Sequence, residues 1–207
     1  MANVNRPKGL SPIQNGDGSP WNQQVTKYYV ASDGSNTYAI GDVVMRAAGS
    51  DADGVPAVIK WTGVSAVGSL PLGVIVGITI ADAGVSLAGA SLSLEKTYLG
   101  LSAGAHYVMV VDDPNVIYEL QGDSTVWATT HANYNCTVTL TANQTSLSQS
   151  SPYSSTVATS PATTLSLPFA IMGIVQRPDN GFGAYSALRV RFNTPDSVGS
   201  VNGRTGI

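Results

Sequence analysis

Charge is what this sequence has least of. Asp, Glu, Lys and Arg make up 11% of its 207 residues, against roughly 25% in ordinary soluble domains. Ser, Thr, Asn, Gly and Ala carry the surface instead, so hydroxyls and amides solvate it and little charge repels neighbouring molecules. The basic residues are never clustered: residues 1–50 hold four, 51–123 two and 124–207 four. A chain that must neutralise many phosphates needs a denser cationic face, so no nucleic-acid partner is expected. Cysteine is nearly absent as well. The single Cys136 excludes an intramolecular disulfide framework and a cysteine-rich zinc site, and its place in an apolar run reads as a small buried strand residue. Long hydrophobic runs are missing too. Leu70–Ile80 is the longest, and it contains Pro71, Gly73 and Gly77. It has about half the length a membrane helix needs, so no membrane partner is expected. The opening MANVNRPKGL is polar and places Pro7 and Gly9 where a secretion signal would be apolar.

Helical periodicity is the last absence. Leu87–Leu94 comes nearest, and its Gly and Ser residues undo it. What remains is β. The pattern predicts an all-β protein, a β-barrel or β-sandwich body over residues 23–207, with an extended N-terminal arm over 1–22. In the arm, Pro7, Pro12 and Pro20 are expected to block regular pairing, and Val4, Leu10 and Ile13 follow no period. Ordering twenty residues costs on the order of 20–40 kcal/mol of backbone entropy. Three aliphatic side chains at ~1.5–3 kcal/mol each do not offset that. The arm is therefore expected to order only against its own body or a neighbour, to be dispensable for folding, and to anchor at Trp21.

Strands are predicted at Gln24–Val30, within Tyr38–Ala47, and at Val55–Thr62, Leu72–Ile80, His106–Val111, Val116–Leu120, Thr125–Ala128, Cys136–Thr141, Phe169–Gln176 and Ala187–Phe192. In Leu72–Ile80, glycines recur on one face, which points to close backbone approach. His106–Val111 and Val116–Leu120 read as a hairpin around Asp113–Pro114–Asn115–Val116, with Pro at the second turn position. Its second strand alternates Val116, Tyr118 and Leu120 with Ile117, Glu119 and Gln121, the pattern of a half-exposed strand. Residues 124–176 contain no Asp, Glu, Lys or Arg, and 14 of the 27 residues in 141–167 are Ser or Thr. A long Ser/Thr-rich insertion over about 141–166, with short strands at most, is expected to tolerate deletion of 143–164.

Signatures of chemistry are sparse. Neither His106 nor His131 sits in a nucleophile or metal motif, so no enzyme is expected. Asp51-x-Asp53-Gly54 opens like a calcium loop, but Val55, Pro56, Ala57 and Val58 supply no further oxygen side chains, so it reads as a turn. Asp112, Asp113, Glu119 and Asp123 read as a solvated acidic face. No cofactor and no metal are expected.

Several segments together resemble capsid decoration (cement) proteins of tailed bacteriophages. These are Asn5–Arg6–Pro7–Lys8–Gly9–Leu10–Ser11–Pro12 with Pro20–Trp21–Asn22, then Ala39–Ile40–Gly41–Asp42–Val43–Val44, Gly54–Val55–Pro56 and Leu72–Gly73–Val74–Ile75–Val76–Gly77. The stretch Tyr107–Gln121 and Pro178–Asp179–Asn180 complete the set, which spans most of the chain outside roughly 141–166. The resemblance implies a β-rich body on the outer surface of the virion capsid, often a trimer, that binds the major capsid protein and clamps neighbouring subunits. It implies no catalytic residues. On that reading Arg6, Pro7, Lys8 and Trp21 are the first candidates for capsid contact. The competing reading is a receptor- or glycan-binding module of a phage tail or cell surface, suggested by the aromatics and the Ser/Thr/Asn-rich segment.

Overall fold

The computed structural model describes residues 3–31, 36–64, 66, 68–82, 98–99, 106–140 and 153–206. Among these residues every regular element is a strand apart from two single 3-10 turns, Thr129–His131 and Asp196–Val198. The strands are β1 (Ser11–Asn15), β2 (Thr26–Val30), β3 (Tyr38–Ala39), β4 (Val43–Ser50), β5 (Pro56–Lys60), β6 (Gly73–Asp82) and β7 (Tyr98–Leu99). They continue as β8 (His106–Val111), β9 (Val116–Gln121), β10 (Asn135–Thr139), β11 (Val157–Ala162), β12 (Phe169–Ile174) and β13 (Ala187–Phe192). The body is all-β, as the periodicity predicts.

Two sheets organise it. Strands β2-β5-β4-β6-β8 close into a barrel, and β1-β9-β13-β12-β10-β11 form a six-stranded sheet. The barrel is antiparallel except where β2 meets β5. The second sheet curls back on itself, because the Asp123 N–H donates to the Ala158 carbonyl at 2.9 Å and Gly122 bridges to Ala158, returning β11 to the end of β9.

Alternation along the barrel strands explains how the sheets join. Val44, Ile75 and Val110 point into the barrel, packed with Tyr28, Val58 and Val108. Their immediate neighbours Val43, Val74 and Val111 point the other way, into a second core shared with Tyr118, Phe169 and Phe192. Adjacent residues on these strands are thus buried on opposite faces, as expected for a wall covered on both sides. Trp61, at the end of β5, crosses into the shared core and meets Phe169 edge-on at 6.1 Å, its indole N–H satisfied by the Ser69 carbonyl at 2.9 Å. Gly73 is required here: a Cβ would lie 2.3 Å from the Val111 carbonyl oxygen, which confirms the close approach expected on β6. Side-chain alternation along β6 is interrupted by register shifts between Ile75 and Gly77 and between Ile78 and Asp82, and Ile75 and Ile78 both pack with the barrel interior.

The structure corrects several expectations. β8 and β9 are not a hairpin: the turn forms, with the Val116 N–H bonded to the Asp113 carbonyl at 3.2 Å, but β8 pairs with β2 and β6 while β9 pairs with β1 and β13. The turn passes the chain from barrel to sheet. β9 is not half-exposed either, since all six of its residues are buried. Thr125–Ala128 is loop, with Trp127 laid over Gly122 so closely that a Cβ there would clash with the indole.

The N-terminal prolines do not prevent pairing. β1 contains Pro12 and pairs antiparallel with β9, and an irregularity between Pro12 and Gln14 absorbs the missing donor. Leu10 is 1% exposed and belongs to the shared core. The chain reaches it by crossing the barrel at Gly41, where Gly9 has φ +70 and a Cβ would lie 2.5 Å from the Gly41 oxygen. Residues 9–15 are therefore part of the body, and only 3–8 are peripheral. The Ser/Thr-rich stretch is likewise structural from residue 154 onward. Ser154, Thr156 and Ala158 are fully buried, and β11 supplies a strand paired with β10. Small hydroxyl residues bury well when hydrogen-bonded, as the Ser154 hydroxyl is to the Thr156 hydroxyl at 2.9 Å. Deleting 143–164 would remove β11, so the expected tolerance does not hold; residues 141–152 lie outside the described residues.

One ion pair is buried inside this framework. Lys60 Nζ lies 3.0 Å from Asp42 Oδ2 and donates to the Thr37 carbonyl at 3.1 Å, and the same carboxylate oxygen accepts the Ala39 N–H at 2.9 Å. Removing one partner strands the other charge away from water. Asp42→Ala is expected to destabilise the protein by about 3–5 kcal/mol in denaturant unfolding. Leu10→Ala is expected to cost about 2–5 kcal/mol, because it leaves a cavity in the shared core. A loss below about 0.5 kcal/mol for Leu10→Ala would return residues 9–15 to the status of a detachable arm.

Candidate interaction surface

β9 is buried on its inner face by the shared core; its outer face carries Glu119 and Gln121, 8% and 9% exposed. Polar groups this buried require partners, and the N-terminal segment supplies them. The Arg6 N–H donates to Gln121 Oε1 at 2.8 Å, and Gln121 Nε2 donates to Asn5 Oδ1 at 2.8 Å. Lys8 Nζ lies 3.5 Å from Glu119 Oε1. From the other side, Arg177 Nη1 donates to both Glu119 oxygens, at 2.9 and 3.1 Å. Asn3 closes the far end: its Nδ2 donates to the Gly181 and Ala184 carbonyls at 2.9 Å each, and its Oδ1 accepts the Gly181 N–H at 3.1 Å.

Residues 3–8 thus form a strap across β9, tied down by side-chain and backbone polar contacts. Between the strap and Arg177, Asp179 and Tyr185 lies a cleft of about 440 Å³. The strap's outer side is open: Val4 is 62% exposed, and Asn5, Arg6 and Lys8 are exposed with it.

Of the sequence-predicted contact residues, Arg6, Pro7 and Lys8 fall together on this strap. Trp21 does not join them. It is half-buried against the shared core and lines two other clefts, which have no residue in common with the strap cleft. Glu119, Gln121, Arg177 and Asn3 were not anticipated as the groups that hold the strap. The available signal was the polar alternation of Glu119 and Gln121, which reads as solvent exposure when the covering segment is unknown.

The acidic residues expected to share a face have separate duties. Asp112 accepts the Tyr28 and Thr26 hydroxyls at 2.8 and 3.1 Å, Asp113 Oδ1 accepts the Asn115 N–H at 2.8 Å, and Asp123 Oδ1 accepts the Thr125 N–H at 2.9 Å. Asp51 acts as a turn cap between β4 and β5, its Oδ1 accepting the Asp53 and Val55 N–H groups at 2.9 and 2.8 Å. The Tyr107 hydroxyl donates to its other oxygen, and this contact holds the carboxyl below the usual carboxylate range while pushing the phenol up to about 12. No group of three or more His, Cys, Asp or Glu side chains is arranged to hold a metal among the described residues. The histidines are apart: His106 opens β8, whereas His131 lies in the 3-10 turn and accepts the Ala128 N–H on Nδ1 at 3.1 Å.

Cys136 is fully buried on β10, and burial pushes its thiol up to about 12. The folded state therefore favours the neutral thiol, while the unfolded thiol ionises near its ordinary value of 9.0. Its contribution to stability is fully present below pH 9 and is lost as pH rises toward about 12, at ~1.4 kcal/mol per unit. Cys136→Ala is expected to flatten the fall of stability over that window, measured by urea unfolding at stepped pH. An unchanged slope would mean that the thiol ionises as readily in the fold as outside it.

Comparison with known protein families, with curated proteins and with solved structures finds no match to this chain.

Proposed function

We propose that this protein is a structural component of a tailed-phage virion, a non-enzymatic decoration protein that binds the outer surface of the capsid and clamps neighbouring copies of the major capsid protein. On this proposal it acts as a homo-oligomer, a trimer where capsomers meet. The observation that carries the reading furthest is the strap. It lays the segment Asn5–Arg6–Pro7–Lys8, part of the cement-protein resemblance, over a rigid all-β body and turns Val4, Asn5 and Arg6 outward. An apolar side chain and a cation on a preordered segment lose little freedom on docking. The charge-poor surface agrees with this, since a protein fixed to a lattice does not need self-repulsion to stay dispersed. Each contact need only be weak, because several grips on a fixed lattice raise the effective concentration of the remaining ones. Mechanically, such ties resist separation of subunits under the pressure of packaged DNA.

The test is co-sedimentation with undecorated shells. Val4→Asp combined with Arg6→Glu changes only exposed groups, so stability is expected to stay within about 0.5 kcal/mol of the unaltered protein. Attachment is expected to weaken at least tenfold, ~1.4 kcal/mol per site. Equal binding by the variant would remove the strap from the contact, and failure of the unaltered protein to bind any shell would overturn the reading.

A further inference from the structure

A second cleft, of about 410 Å³, opens where the turn after β8 meets the loop between β1 and β2. It lies within the roughly 300–1,000 Å³ of small-ligand clefts. Its walls include Trp21, Gln24, Asp17, Asp113, Asn115 and Arg191. Such a lining is unusual. Most ligand clefts are lined chiefly by hydrophobic and aromatic side chains, whereas this one sets mostly polar side chains around one indole, with Val116 its sole aliphatic member.

Arg191 is the anomaly. It is the next-to-last residue of β13, half-buried, yet its guanidinium makes no hydrogen bond or ion pair with any described residue. Five fixed N–H donors are therefore unused in a partly desolvated place. The acceptors opposite are also only half used. Asp113 spends Oδ1 on the Asn115 N–H at 2.8 Å, and Asp17 spends Oδ1 on the Ser19 N–H and hydroxyl at 2.8 and 2.7 Å. Neither Oδ2 has a hydrogen-bond partner among the described residues, and both residues line the cleft. The Ser19 contacts hold Asp17's carboxyl below its ordinary range, so it stands as an ionised acceptor.

One cation and two carboxylates leave a single net negative charge, which repels a bare anion such as phosphate, while a cation would have to sit beside the Arg191 guanidinium. An apolar peptide would find one aliphatic wall. A neutral ring edged with hydroxyls meets all three features: donors, half-used acceptors, and an aromatic wall for its C–H face. We propose that this cleft binds a neutral saccharide. One pyranose unit of a glycan lies against Trp21, takes hydrogen bonds from Arg191, and donates hydroxyl protons to Asp113 and Asp17. The site is separate from the strap and does not depend on the capsid reading; it gives the protein a means of adhering to a glycan-bearing surface.

The tryptophans make the test selective. Trp61 and Trp127 are each 1% exposed, and only Trp21 is accessible to an aqueous quencher. Acrylamide quenching of the intact protein is measured while titrating maltotetraose, cellotetraose or chitotetraose, with an uncharged Ser–Ala pentapeptide as the alternative ligand. At least one tetrasaccharide is expected to protect Trp21 saturably. Arg191→Ala is expected to weaken that binding at least tenfold. Asp113→Asn, at an exposed turn position and keeping an Oδ1 acceptor for the Asn115 N–H, is expected to weaken it with little change in melting temperature, which covers the case of an unstable Arg191→Ala. No saturable protection by any of the three sugars overturns the proposal. So does protection by the peptide alone, or sugar protection that survives both substitutions unchanged.

Discussion

β9 must be buried on both faces, and much of the molecule is arranged around that requirement. Its inner residues Val116, Tyr118 and Leu120 join the core beneath the barrel wall, where Tyr118 meets Phe192 at 5.5 Å. Its outer residues include a carboxylate and an amide, which water would satisfy at no cost and which burial makes expensive. Arg177 and Lys8 neutralise the first; Asn5 and the Arg6 backbone complete the second. The N-terminal segment consequently has a fixed place on the body without forming a core of its own. β1 extends the same logic by pairing with the free edge of β9, Ser11 facing Glu119 and Asn15 facing Val116. With β13 on its other side, β9 has no exposed edge left to template pairing with another chain.

The elements that could be read from sequence are those whose burial follows from their own pattern. β6, β8, β12 and β13 are apolar runs bounded by turn residues, and the sequence places each within a few positions. What escaped reading depends on partners far along the chain. Nothing local in Val116–Gln121 says that residues 3–8 will cover Glu119. Nothing local in Asp113–Val116 distinguishes a hairpin turn from one that hands the chain to a second sheet, because the four residues bond identically in both. The strands on either side decide, and their partners β2, β6, β1 and β13 are set by the fold as a whole.

The Ser/Thr-rich region misled for a different reason. Absence of charge has two causes: a surface that does without it, or burial that excludes it. β11 and Ser154–Thr156 belong to the second class, since hydroxyls that bond to one another and to backbone enter a core at little cost. Asn135 on β10 is fully buried as well, its Nδ2 donating to the Thr164 and Arg204 carbonyls at 3.0 and 2.6 Å while its Oδ1 has no partner among the described residues. A polar composition at 154–166 therefore hides a structural strand behind the statistics of a linker. Of the contact candidates, Arg6, Pro7 and Lys8 were legible as one group because they are contiguous. The separation of Trp21 from them was not, because it follows from the crossing at Gly9 and Gly41, which only the three-dimensional path reveals.

That crossing also limits how forces pass through the molecule. A pull on the strap is resisted first by the polar contacts of Asn3, Asn5 and Lys8, and then by Leu10, which is locked in the shared core. Backbone bonds continue the line from Leu10 N–H to the Gly41 oxygen at 3.0 Å, and from Gly41 N–H to the Ile75 oxygen at 2.8 Å. Gly41 precedes Asp42, whose carboxylate holds Lys60, so the path ends on the buried ion pair between β4 and β5. Load applied at residues 3–8 therefore enters the closed barrel where β4 begins, beside the start of β6 and the end of β5. The proposed clamping role needs that connection, and the glycines at 9 and 41 are what allow the two backbones to approach closely enough to make it.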